Sequence, residues 1–164
     1  MTETKKEPQE MQKIASFCVD HTKLKKGMYI SRIDDDIVTY DLRMVVPNTE
    51  PYLENAAIHT FEHLFATYVR NSALSSHIIY IGPMGCRTGF YFITRGIAHQ
   101  QALDLCREAL DFIANFTGAI PGVSVVECGN YREHNHLGAC LMAMDYQKVL
   151  ADWTVPQMDY DYQQ

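Results

Sequence analysis

The chain has 164 residues, 47% of them hydrophobic, and a formal charge of −6. That length suits one domain with a sizeable core, and the acidic balance argues against a nucleic-acid surface, which needs clustered Lys and Arg. No apolar run approaches the roughly 20 residues of a membrane span, and the polar N-terminus lacks the apolar centre of a secretory signal.

In chain order, residues 1–13 read as a flexible, solvated tail, and Ser16 to Leu24 as a connecting segment that holds Ser16, Asp20 and His21. Met28 to Ile33 has strand character, Asp34-Asp35-Asp36 a turn, and Ile37 to Val46 a second strand. In that strand Val38, Tyr40, Leu42, Met44 and Val46 share one face, and Thr39, Asp41 and Arg43 the other. Arg43 therefore stands away from the apolar face, available to a ligand or partner. Pro47 and Pro51 bracket a loop.

Glu54 to about Ser72 reads as a helix, with an apolar stripe of Ala57, Phe61, Leu64, Phe65 and Tyr68. A bordering stripe holds His59, Glu62, His63 and Ala66 and faces a cavity. His77 to Ile81 and Thr88 to Thr94 are strands, joined through a glycine-flanked bend that carries Cys86. Small neighbours at such a bend let a substrate reach the backbone and the sulfur. Ala98 to Phe116 is a second helix, with Cys106 on its apolar stripe as a buried filler and Gly118 as its C-terminal cap. Val123 to Val126 is a short extended run that leads to Cys128, and His136 to about Trp153 is a third helix. Thr154 to Gln164 is a polar C-terminal tail that drapes or frays. These elements predict an α+β fold: an antiparallel sheet of about four strands with helices on one side, a two-layer sandwich. One catalytic domain spans 14–153.

The chemistry concentrates in Ile58-His59-Thr60-Phe61-Glu62-His63-Leu64. Helix positions four apart lie on one face, so His59 and His63 can share one cation. Glu62 flanks them as a candidate general acid/base. A catalytic metal site wants a third protein ligand and an open position. Cys128, Cys86, His134, His136 or an acid could supply that ligand. Two imidazoles and a thiolate suit a borderline divalent ion such as zinc or iron(II). Cys86, beside Arg87 and a cation, is a candidate acid/base or nucleophile. Five scattered cysteines do not make a disulfide framework, and they point to a reducing cytoplasm.

Three motifs together resemble the S-ribosylhomocysteine lyase (LuxS) family, which makes the autoinducer-2 precursor of quorum sensing. They are His59-x-x-Glu62-His63, Pro83-Met84-Gly85-Cys86-Arg87-Thr88-Gly89 and Glu127-Cys128-Gly129-Asn130. Ser16-Phe17, Asp20-His21 and Asp41-Leu42-Arg43 extend the resemblance, which runs from about Ser16 to about Leu150. It implies that His59, His63 and Cys128 ligate one metal per subunit, natively iron(II), with zinc or cobalt as substitutes. Glu62 and Cys86 are then the two general acid/base groups, and Ser16, His21 and Arg43 contact the substrate. It further implies a homodimer with active sites at the interface, and cleavage of S-ribosylhomocysteine to homocysteine and 4,5-dihydroxy-2,3-pentanedione by carbonyl migration and β-elimination. Tyr80 and Cys18 depart from the family, standing where acidic residues are common. His134 and His136 are expected to be surface or supporting groups. Two other readings compete: a metallopeptidase of the inverted zinc class, which shares His-x-x-Glu-His, and a non-catalytic domain with a four-ligand structural metal.

Overall fold

A computed structural model describes residues 11–163, so most of the predicted 1–13 tail lies outside the described residues. Four strands, β1 (Gly27–Asp34), β2 (Ile37–Arg43), β3 (Ile78–Pro83) and β4 (Gly89–Arg95), form one antiparallel sheet in the order β1-β2-β4-β3. Three helices, α1 (Asn55–Arg70), α2 (His99–Ala114) and α3 (His136–Leu150), complete the α+β fold expected from the sequence.

The period-two pattern of β2 orients the sheet. Tyr40 pairs with Phe92 and Leu42 with Phe90, so these four buried side chains point to one face. Phe61 and Phe65 of α1 pack on that face, with ring centroids 4.8 Å from Phe90 and 5.4 Å from Phe92. The opposite face carries Asp41 and Tyr91, which pair directly. Gly89 pairs with Arg43, and a Cβ there would collide with the Leu42 carbonyl oxygen. Glycine is required where these strands approach so closely.

Helix α1 begins where Glu54 accepts hydrogen bonds from the Ala56 and Ala57 amides at 2.8 and 2.9 Å. Those amides have no partner within the helix, and a carboxylate there also suits the helix dipole. Helix α2 ends at Ala114, with Asn115 donating back to Asp111 O, so the cap falls three residues before the expected Gly118. Cys106 is fully buried as expected, and burial pushes its thiol up to about 12.

Two segments differ from the sequence reading. Residues 123–126 make turns rather than an extended run: Glu127 N and Cys128 N both donate to Ser124 O. Val125 and Val126 are exposed, so their β propensity finds no strand to pair with. The C-terminal stretch drapes without fraying. It forms 3-10 helices at Val155–Met158 and Tyr160–Gln163, and buries Met158 fully. Trp153 Nε1 donates to Met28 O at 2.9 Å and Tyr146 Oη to Gly27 O at 2.8 Å. These bonds tie the C-terminal segment and α3 to the outer strand β1.

Candidate functional site

Four side chains meet beside α1. One ligand atom from each of His59, His63, Cys128 and His134 lies within 4.8 Å of the other three. His59 and His63 stand one turn apart, with ring centroids at 4.7 Å and planes at 85°, and each offers a nitrogen to the cluster. Their Nδ1 atoms face carbonyl oxygens, His59 toward Glu133 O at 2.9 Å and His63 toward Pro121 O at 2.7 Å. Each Nδ1 must donate to its carbonyl, which leaves Nε2 unprotonated and free to ligate. Gly122, at φ +72, sets the turn that presents Pro121 O, and a Cβ on it would meet the His63 ring at 3.3 Å.

Cys128 Sγ lies 3.3 Å from His59 Nε2 and accepts from Asn130 N at 3.4 Å. The turn at Ser124, which replaced the expected strand, brings it there. The fit of a soft or borderline ion is tested by the orphan in this cluster. His134 Nε2 is buried with no hydrogen-bond partner among the described residues. Burial lowers the basicity of His134, and the neighbouring His59 and His63 lower it further. Neutral imidazoles and a sulfur around one point form a donor set for a divalent cation of the zinc or iron(II) type.

Glu62 sits one residue before His63 on α1, half-buried, and no hydrogen bond or ion pair reaches it among the described residues. Its carboxylate is thus uncommitted. His136, the other spare histidine, lies outside the cluster and faces Phe116 O at 2.9 Å. His134 is half-buried rather than on the surface, and one of its ring nitrogens lies among the ligand atoms.

A second assembly occupies the other face of the sheet. A cavity of about 540 Å³ is lined by Ser16, His21, Arg43 and Cys86 together, with Tyr91 and Tyr160 among its walls. None of His59, Glu62, His63, Cys128 or His134 lines it. Arg43 does stand on the face away from the apolar core, but it is only 3% exposed. Its guanidinium donates to both oxygens of Asp41, at 3.1 and 2.6 Å, and to Thr88 Oγ1 at 2.6 Å. Burial opposes the guanidinium charge, yet Asp41 more than offsets it and raises the Arg43 pKa. Tyr160 Oη donates to Asp41 Oδ2 at 2.9 Å, and burial together with that carboxylate holds the phenol far above its usual range. The sequence reading missed this network. Asp41 was two residues from Arg43 on the same strand face, which is the signal for the pair.

Cys86 sits in the Met84–Arg87 turn, where Arg87 takes φ +58 and Arg87 N donates to Met84 O at 2.9 Å. Its sulfur is exposed and lies 3.0 Å from Thr88 Oγ1. Since Arg43 donates to that oxygen, the Thr88 hydrogen is free to point at Cys86 Sγ. An exposed sulfur at a turn, served by a hydroxyl whose oxygen is fixed by a buried arginine, can hold and move a proton.

Residues 14–155 match the family described as S-Ribosylhomocysteinase (LuxS). A relative from Desulfotalea psychrophila, called S-ribosylhomocysteine lyase, is 52% identical over 128 residues, covering 74% of this chain and 80% of its own. Proteins with the same designation from Borreliella burgdorferi and Clostridium acetobutylicum are similar too. The first is 51% identical over 146 residues, covering 85% of this chain and 93% of its own. The second is 47% identical over 156 residues, covering 92% and 99%.

Proposed function

This chain belongs to the S-ribosylhomocysteinase (LuxS) family, and from that premise we propose how its residues divide the work of a carbon–sulfur lyase. The protein is a metal-dependent enzyme that cleaves S-ribosylhomocysteine. The observation that carries the reading is the convergence of His59, His63 and Cys128 beside an uncommitted Glu62. We assign those three as ligands of one iron(II) per subunit, with zinc or cobalt as substitutes. When bound, the ion supplies Lewis acidity that steadies negative charge on a sugar oxygen.

The carbon–sulfur bond at C5 lies far from the sugar carbonyl at C1. The carbonyl must therefore migrate to C3, each shift removing a proton from one carbon and returning it to the next. Glu62 and Cys86 serve as the two acid/base groups for those transfers. With the carbonyl at C3, loss of the C4 proton makes a carbon–carbon double bond and expels sulfur from C5. The products are homocysteine and, after tautomerisation, 4,5-dihydroxy-2,3-pentanedione, the autoinducer-2 precursor. Arg43, Ser16 and His21 bind the ribosyl or homocysteine part from the cavity walls.

The active site is completed across a homodimer interface. The separation of the Cys86 cavity from the ligand cluster supports this, because neither group of residues alone makes a full site. The cysteines are unpaired among the described residues, which supports residence in a reducing cytoplasm. The metallopeptidase alternative lacks support: the third position of the cluster is a sulfur, whereas that class takes an acidic ligand there.

Thiol release on adding S-ribosylhomocysteine to anaerobically prepared, iron-loaded protein tests the proposal. Cys86→Ala should abolish release while metal content stays near one ion per chain. Full activity in that variant removes Cys86 from the chemistry, and an inactive wild-type enzyme with its metal in place defeats the lyase reading.

A further inference from the structure

His134 is the residue of the cluster that the ligand assignment leaves unused. Its Nδ1 lies 3.0 Å from Thr60 Oγ1. That hydroxyl also accepts the Asn135 amide at 2.9 Å and lies 3.1 Å from Ala56 O. A hydroxyl has one hydrogen, and Ala56 O is an acceptor that can only receive it. Nδ1 of His134 therefore carries the proton and donates to Thr60. The other nitrogen, Nε2, is left with a bare lone pair, buried and without a partner among the described residues. The opposite tautomer is worse, because it would aim a buried N–H at the point where a cation binds.

Direct ligation does not use that lone pair well. The His134 ring stacks on His59, with centroids 4.0 Å apart and planes only 24° from parallel. A metal–nitrogen bond lies in the ring plane at about 2.1 Å. Two ring planes this close to parallel meet far beyond that reach, so one ion cannot lie in both. His59 and His63, at 85°, have no such conflict. His134 instead flanks the corner that three ligands leave open.

We propose that His134 is a catalytic hydrogen-bond acceptor: its unprotonated Nε2 takes the hydrogen of the substrate hydroxyl, or of the resting water, that fills the open corner of the His59–His63–Cys128 site. Thr60, fully buried and anchored to Ala56 and Asn135, is the positioning residue that fixes the His134 tautomer. The role suits a reaction in which sugar hydroxyls and carbonyls interchange at one place. A fixed acceptor there favours an oxygen that still bears hydrogen, and orients it as the carbonyl moves on. The inference rests on the lyase reading for its substrate, but its spectroscopic test does not depend on turnover.

The test compares His134→Ala and His134→Gln with wild type in the cobalt-loaded enzyme. Both variants should keep about one cobalt per chain, with the same four-coordinate visible bands and the same nitrogen and sulfur count by X-ray absorption. The pH midpoint of the visible spectrum, which reports the water in the open corner, should shift by about 0.5–1 unit in the alanine variant. The rate constant kcat should fall about 100-fold in His134→Ala and recover in part in His134→Gln, whose amide oxygen can accept. Loss of one nitrogen from the cobalt shell, or loss of the metal, makes His134 a ligand and overturns the proposal. Unchanged midpoint and unchanged kcat overturn it as well. If the alanine variant does not fold, His134→Leu, which also lacks an acceptor, supplies the same spectral comparison. A wild-type cobalt enzyme that releases no thiol from S-ribosylhomocysteine counts against the lyase reading and leaves these spectra interpretable.

Discussion

Thr88 joins the two parts of the Cys86 cavity. Its oxygen accepts from Arg43 at 2.6 Å and lies 3.0 Å from Cys86 Sγ. Thr88→Val keeps the shape and removes both bonds, leaving one guanidinium N–H buried without a partner. That penalty is about 1–3 kcal/mol. We expect the variant to be less stable by that order in urea unfolding, and its kcat to fall more than its KM rises, because Cys86 loses its hydrogen-bond donor. A change confined to stability would make Thr88 structural. Thr88 also shows what a sequence can reveal at this scale. The types and spacing of His59, Glu62, His63, Cys86 and Cys128 were readable, because ligands and acid/base groups come from a short menu. The use of Thr88, Tyr160 and His134 was not, because each acquires its meaning from a partner far away in sequence. Tyr160 reaches Asp41 across 119 positions, and His134 reaches Thr60 across 74.

At the scale of elements, the apolar periods located all four strands and three helices, and erred at the ends. Boundaries depend on caps, which are only one or two hydrogen bonds. The start of α1 is set by Glu54, and Glu54→Ala should cost about 1 kcal/mol, read as a lower thermal midpoint at neutral pH. The bonds to Ala56 and Ala57 lower the Glu54 pKa, so this contribution is present above the usual carboxylate range. It fades as pH falls through the lowered value, and the wild-type advantage should vanish in acid. The close approach of β4 to β2 gives a second test. Gly89→Ala must push the strands apart at Leu42 O, and a loss of about 1–3 kcal/mol is expected, with Cys86 displaced along with its turn. The segment before Cys128 misled for a related reason. Two adjacent valines signal a strand only if an edge is free to receive them, and Val125 and Val126 reach none.

Tyr29, Tyr40 and Tyr146 are buried, and Tyr160 is partly buried. Burial lifts Tyr29 and Tyr40 to about 12, and holds Tyr146 and Tyr160 well above the normal range. Each raised pKa favours the fold below about pH 10, where unfolded tyrosine is still protonated. That advantage is lost as pH climbs toward 12. The urea midpoint should therefore drop steeply above pH 10, and a flat profile to pH 11 would mean that these phenols are open to solvent. The sequence carried little of this, since the C-terminal Tyr-rich stretch reads as polar. Tyr160 of that stretch is anchored on Asp41 of β2, and Tyr146 of α3 on the Gly27 carbonyl of β1, partners that no composition reveals.

The arrangement of the two half-sites makes a prediction that only the assembled protein can answer. The cluster beside α1 holds the proposed metal ligands, and the cavity on the far face of the sheet holds Cys86, Arg43, Ser16 and His21. If catalysis joins the cluster of one subunit to the cavity of its partner, two crippled chains can repair each other. A Cys86→Ala chain keeps a good cluster, and a His63→Ala chain keeps a good cavity. A dimer of one of each then has one intact composite site and one site lacking both groups. Random pairing of equal amounts makes about half of the dimers mixed, so thiol release should return to about a quarter of the wild-type rate. Each variant alone should stay inactive, with the metal lost only in His63→Ala. If Cys86 instead works on the cluster of its own chain, every mixed dimer contains two broken sites and no activity returns. Unfolding and refolding the two chains together, and then measuring thiol release, separates these outcomes without any structure of the dimer.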